Sequence, residues 1–335
     1  MRIRCKFYAL KSCVAATVLL GLAFAAGAQK SQFPYDSYEI ENGLTTIHVQ
    51  GAVSVIQGAG GNVAVQTGDM GVLVVDTGLT QNAQKLLAAI RKLSNGPLQY
   101  IVSTHAHADH VGGNEVIRRA GVTITGANVA GDIADATQGA QIIAHENTLN
   151  RMSAPTGKQA AFPFGFWPTA TYVTGQKDLF FNDEGIQIQW QPAAHTDGDS
   201  LVYFRKSDVI ATGDIFTTLS YPLIDLAAGG SVQGEIKALN HIIEMAIPRH
   251  EEEGGTYIIP GHGRVCDRWE VVEYRDMVTI IRDRVQNAIK KGWTLDQVRS
   301  AGFTKDWDPR WSAKQGNGSG REFISTVYQS LSKGR

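Results

Sequence analysis

Cysteine is scarce in this chain: three in 335 residues, with Cys5 and Cys13 close to the start and only Cys266 beyond them. If the first residues are removed, no internal disulfide can form, which excludes a disulfide-framed fold. The nucleophile elbow G-x-S-x-G is absent, and Cys266 stands in no motif, so neither a serine nor a cysteine hydrolase is indicated. Low-complexity linkers and short-period repeats are also missing, which excludes solenoids and flexible multidomain arrays. No excess of either charge is present, with 31 Lys and Arg against 32 Asp and Glu.

The one long apolar run lies at the N-terminus. Arg2, Arg4, Lys6 and Lys11 precede Cys13–Ala26, and Ala26-Gly27-Ala28 supplies small residues for cleavage after Ala28. This pattern reads as a secretory signal over 1–28, and predicts a periplasmic or secreted protein. The run falls short of the ~20 residues of a membrane span, so no stable membrane anchor is expected. The signal takes four basic and no acidic residues with it, leaving a net charge of −5. That balance gives no reason to expect a nucleic-acid partner. A small-molecule substrate is expected instead, and oligomeric state is not legible.

What is abundant is glycine, 36 residues, which suits tight turns packed close to a site. A polar arm over 29–43 leads into short β-type runs at 44–49, 53–57, 62–67 and 71–76. Leu86, Leu87, Ile90 and Leu93 recur at helical spacing within 80–94. A strand ends near Ser103 and a helix starts near Gly112. A strand at 122–125, a helix over 127–152 and a Pro- and aromatic-rich loop at 153–170 follow. A second β-block comprises 171–175, 186–190, 201–205 and 208–212. Helices at 232–247 and 267–291 flank a strand at 256–259, and one or two more helices close the chain. Two β-rich halves, each with its own helices, predict an α/β, four-layer αββα sandwich.

The densest chemical signal is Ser103-Thr104-His105-Ala106-His107-Ala108-Asp109-His110, directly after the apolar Tyr100-Ile101-Val102. Imidazole and carboxylate are the ligands of catalytic zinc, and a loop at a strand end can aim alternate side chains at one point. Three more polar groups follow apolar strands among small residues: His195 in Ala194-His195-Thr196, Asp214 in Gly213-Asp214, and His262 in Gly261-His262-Gly263. Asp76 closes the run Val72-Leu73-Val74-Val75. Asp197 and Asp199 read as turn residues. His145 reads as structural or near an entrance. Phe162-Pro163-Phe164-Gly165-Phe166-Trp167-Pro168 reads as packing under a long loop or as an apolar wall of a pocket.

Taken in order, Asp76, His105 to His110 (HxHxDH), His195, Asp214 and His262 resemble the five motifs of the metallo-β-lactamase superfamily. The resemblance covers roughly residues 44–271, with 272–335 a C-terminal helical extension packed on the same domain. It implies one zinc held by His105, His107 and His195, and a second held by Asp109, His110 and His262. Asp214 would bridge the two, with iron or manganese as other occupants. Asp76 would orient a ligating histidine. Two dications ~3.5–4 Å apart share a hydroxide that attacks an electrophilic centre. Asp109 would orient that nucleophile. The expected reaction is hydrolysis of an ester, lactone, thioester or amide carbonyl. The resemblance also leaves open a β-lactamase of the HxHxDH subclass and a mononuclear iron oxidoreductase of the persulfide dioxygenase type.

Overall fold

The computed structural model describes residues 38–122, 139–154, 158–251, 254–313 and 318–332. The expected signal, most of the arm, nearly all of the strand at 122–125 and the first part of the helix at 127–152 lie outside them.

Eight strands make the first sheet in chain order: β1 (Tyr38–Glu41), β2 (Leu44–Gln50), β3 (Val53–Gln57), β4 (Val63–Gly68), β5 (Gly71–Val75), β6 (Leu98–Val102), β7 (Gln141–His145) and β8 (Ala170–Tyr172). The first five run antiparallel and β5 to β8 run parallel. The second sheet holds β9 (Gln176–Phe181), β10 (Glu184–Trp190), β11 (Ser200–Phe204), β12 (Val209–Ala211), β13 (Tyr257–Ile259) and β14 (Cys266–Asp267). Only β12 and β13 are parallel there. The helices are α1 (Ala83–Leu93), α2 (Ala108–Val111), α3 (Asn114–Arg119), α4 (Glu146–Met152), α5 (Val232–Met245), α6 (Arg268–Lys290), α7 (Leu295–Ser300), α8 (Asp308–Trp311) and α9 (Gly320–Ser332).

Each sheet thus builds a meander and then crosses over through a helix to a parallel strand: β5–α1–β6 in one half, β12–α5–β13 in the other. Leu86 and Ile90 of α1 pack on Val63, Val65, Val72 and Val74, a layer sealed from water. Burying such side chains contributes about 1.5–3 kcal/mol each. Ser231 caps α5 by accepting from Gly234 N, and Asp267 caps α6 by accepting from Trp269 N. Between the sheets, the rings of Tyr100 and Phe181 meet nearly at right angles, with centroids 5.1 Å apart. Buried Gln66 donates to Glu184 at 2.7 Å, giving that buried carboxylate a partner across the sheets.

Three expectations need correction. The described part of the helix over 127–152 opens with the strand β7, and only Glu146–Met152 is helical. Ile142, Ile143 and Ala144 are buried on both faces of a parallel strand, so no alternation marks them. The strand near 171–175 belongs to the first sheet as β8, and the second begins at β9. The polar arm carries β1, which pairs with β2. In the C-terminal segment, α9 is tied back by Ser330, whose hydroxyl accepts from Val232 N.

Candidate metal centre

The seven candidate ligands converge at the carboxyl ends of β6, β12 and β13 and in the loop after β10. This is where parallel strands release their loops on one edge. Ligand-capable atoms of His105, His107, His195 and Asp214 form one group, and those of Asp109, His110 and His262 a second. Within each group all these atoms lie within 4.8 Å of one another.

Asp214 sits between the groups. Its Oδ2 is 4.0 Å from His105 Nε2 and 3.8 Å from His195 Nε2. Its Oδ1 is 3.1 Å from His110 Nε2 and 3.5 Å from His262 Nε2. One carboxylate therefore offers one oxygen to each group. Asp109 Oδ2 lies 3.1 Å from His262 Nε2 and 3.8 Å from His110 Nε2.

Acceptors on the outside fix the tautomers of four rings. His110 Nδ1 meets Asp76 Oδ2 at 2.8 Å. His195 Nδ1 faces the Leu223 carbonyl. His107 Nε2 meets Asp225 Oδ2 at 3.2 Å. Thr104 gives its hydroxyl proton to Asp76 Oδ2 at 2.8 Å, so its oxygen accepts from His105 Nδ1 at 3.0 Å. Each ring thereby keeps its proton outside and turns a lone pair inward. Two such inner nitrogens, His195 Nε2 and His107 Nδ1, are 2.9 Å apart. Lone pairs at that separation call for a cation between them. His105 Nε2 and Asp214 Oδ1 are buried and make no hydrogen bond. Buried polar atoms left this way are costly unless an ion satisfies them. The donor set is imidazole and carboxylate, which suits zinc and does not exclude iron or manganese.

Charge follows the same division. Burial pushes the pKa of His195 down to about 4 and lowers that of His105 well below the usual value, so both rings are neutral and ready to ligate. For His110, burial opposes the charged form. The carboxylates of Asp214 and Asp76 outweigh it and hold the pKa well above the ordinary value. Asp214 stays ionised against its own burial because the histidines around it favour the charge.

Close packing leaves no room for a side chain behind the ligands. A Cβ on Gly61 would collide with the His110 ring, and one on Gly261 with Asp214 Oδ1. Asp76 adopts a φ of 62°, left-handed backbone that Asp tolerates better than most residues. Its carboxylate also accepts from Thr104 N at 2.8 Å.

Residues outside the motifs matter here. The segment 217–228 touches three of the histidines: Thr218 N donates to His262 O, Leu223 O faces His195, and Asp225 holds His107. Asp225 Oδ1 also caps the amides of Ala227 and Ala228, both at 2.9 Å. No spacing signal in the sequence pointed to Asp225 or Leu223. His145 joins neither group. It is buried, stacks on Trp190 at 4.3 Å and caps α4 by accepting from Asn147 N. Asp199 accepts from Thr196 N and Oγ1, and Asp197 pairs with Arg151 at 2.6 Å, so both organise the loop of His195. The aromatic stretch 162–168 lies against α3, where Asn114 donates to Phe166 O, and does not line the cavity at the metal centre.

The chain belongs to the metallo-β-lactamase superfamily, whose family model matches residues 56–262. It is similar to a linear primary-alkylsulfatase of a Pseudomonas species, 23% identical over 257 residues, covering 68% of this chain and 47% of that protein. It is also similar to the alpha subunit of a 2,4-dinitroanisole O-demethylase of a Nocardioides species, 27% identical over 195 residues, covering 57% and 52%. The fold resembles that of the stereoselective inverting sec-alkylsulfatase Pisa1 from a Pseudomonas species. The TM-score is 0.60 at 17% identity, over 85% of this chain and 49% of that one. The chain spans about half the length of the curated relatives it matches. Among the described residues, no helix is long and apolar enough to cross a membrane.

Proposed function

We propose that the protein is a zinc-dependent hydrolase of esters, lactones or thioesters, secreted through its N-terminal signal. The observation that carries this reading is the division of the Asp214 carboxylate between two groups of inward-facing donors. His105, His107 and His195 would hold one ion, Asp109, His110 and His262 the other, and Asp214 both. Two divalent cations bound there supply Lewis acidity and a nucleophilic hydroxide near neutral pH.

The chain's own groups do the rest. Asp76 keeps His110 and, through Thr104, His105 turned inward. Asp109 is partly exposed at the cavity edge, and its hydrogen bond with His262 helps keep it ionised against burial. It orients the attacking water and accepts its proton.

A sulfate ester is the second reading, favoured by the likeness to alkylsulfatases in sequence and fold. The test is elemental analysis followed by a hydrolysis screen. The screen takes a carboxylic ester, a homoserine lactone, a glutathione thioester, a β-lactam and an alkyl sulfate. About two zinc ions per chain and turnover of a carbonyl substrate support the proposal. Turnover of the sulfate alone selects the second reading, and a single iron without hydrolysis overturns both.

A further inference from the structure

Beside the metal centre the chain encloses a cavity of about 600 Å³, open to solvent. That is the size of a small-molecule pocket. One end is polar, formed by His107, Asp109, His195, Asp214 and His262. The other is walled by the segment 217–225 and by the start of α9.

The burial pattern of that segment is inverted with respect to solvent. Tyr221 and Pro222 are buried, whereas Leu219 is 62% exposed and Leu223 is 41% exposed. The buried residues are held by the C-terminal helices. Tyr221 stacks on Phe323 of α9 at 5.2 Å, and its hydroxyl donates to Asp308 at 3.0 Å. With Tyr221 pinned on that side, the two leucines face the cavity. Leu219 lies beside the His262 loop, where a Cβ on Gly263 would approach its Cγ to 3.1 Å. Leu223 carries the carbonyl that faces His195. The apolar wall therefore lies directly beside two of the candidate ligand histidines, His195 and His262.

We propose that this wall seats an aliphatic arm of the substrate, with Leu219 and Leu223 as the residues that select for it. The inference rests on the hydrolase reading and narrows its substrate class to esters or thioesters of aliphatic acids. Two leucines left in water at the edge of a charged centre gain by covering such an arm, at up to about fourfold in affinity per buried methylene. Single exposed apolar residues are ordinary on a surface. Two on one wall of the reaction cavity are not explained by packing.

The experiment measures binding, so that it does not depend on turnover. Acetate, butyrate and hexanoate are product-like carboxylates whose charged ends compete for the metal centre. Their affinities for the zinc-loaded full chain are measured by calorimetry. We expect affinity to rise between about two- and fourfold per methylene. Leu219→Asn and Leu223→Asn should each flatten that slope, and the double variant should abolish it. Thermal melting of each variant confirms that it is folded, and the Leu223 substitution keeps the backbone carbonyl. A flat slope in the wild-type chain, or a slope unchanged by both substitutions, overturns the proposal. A rising slope in a protein that hydrolyses no ester, lactone or thioester leaves the binding wall standing and overturns the hydrolase reading instead.

Discussion

Oδ2 of Asp76 lies 2.8 Å from Nδ1 of His110 and 2.8 Å from the hydroxyl of Thr104. One buried oxygen thus sets the tautomer of one inward-facing histidine directly and of a second, His105, through the threonine. Asp76→Asn keeps one acceptor oxygen and adds an NH2 donor, so it cannot accept from His110 Nδ1, the Thr104 hydroxyl and Thr104 N together. Metal affinity should fall by roughly 10- to 100-fold. Chelator titration of the variant checks this. An affinity equal to wild type would reduce Asp76 to a turn residue.

Among the described residues Asp214 alone has a carboxylate facing both groups of donors, and Asp214→Ala removes it. The group of Asp109, His110 and His262 keeps three ligands but loses the negative charge beside them, so its ion should bind more weakly. Stoichiometry should drop from about two metals to about one at moderate chelator concentration. Activity should fall by orders of magnitude. Retention of both metals at wild-type affinity would remove the bridging role.

Asp225→Asn acts further out. His107 Nε2 loses its charged acceptor, while the amides of Ala227 and Ala228 can still donate to the remaining carbonyl. The group containing His107 should therefore lose metal affinity by a smaller factor than after Asp76→Asn, which touches two rings. Metal titrations of both variants side by side test the order. Equal losses would mean that Asp225 orients His107 no less firmly than Asp76 orients its own pair.

Glu235 of α5 is fully buried, and neither carboxyl oxygen has a hydrogen-bond partner. Burial raises its pKa well above the usual carboxylate value, and the nearby charges of Asp199 and Asp214 raise it further. The folded chain therefore keeps a proton that the unfolded chain releases above about pH 4.5. Stability from this group is full below that pH and is lost as pH rises toward the folded pKa. Glu235→Gln cannot titrate. In metal-free protein the variant should gain on wild type by up to about 1.4 kcal/mol per pH unit over that window. Urea unfolding at about pH 5 and about pH 7 measures the two slopes, and parallel slopes would refute the assignment.

The histidines that converge in the candidate centre were legible because metal chemistry needs particular side chains in close order after strand ends, and His105, His107 and His110 leave a dense trace. His195, Asp214 and His262 were legible through their order behind apolar runs. Asp225 and Leu223 were not. One acts from a loop without a motif, and the other through a backbone carbonyl that any residue would supply. Strand β7 was hidden because burial on both faces removes the alternation that distinguishes strand from helix. The aromatic stretch at 162–168 drew attention as a possible wall, but it lies against α3 and outside the lining of the cavity. The cavity is walled instead by leucines whose exposure no sequence pattern revealed.

The donors are not shared evenly between the two crossover units. The half built on β5–α1–β6 supplies His105, His107, Asp109 and His110, and the half built on β12–α5–β13 supplies Asp214 and His262, with His195 from the preceding strand pair. Each group draws donors from both halves, so neither half alone can form either one. The free energy of binding a metal there would then be available only to a chain whose two sheets have already docked, and would stabilise that state by mass action. Loaded protein should therefore resist shear between the sheets more strongly than chelated protein does.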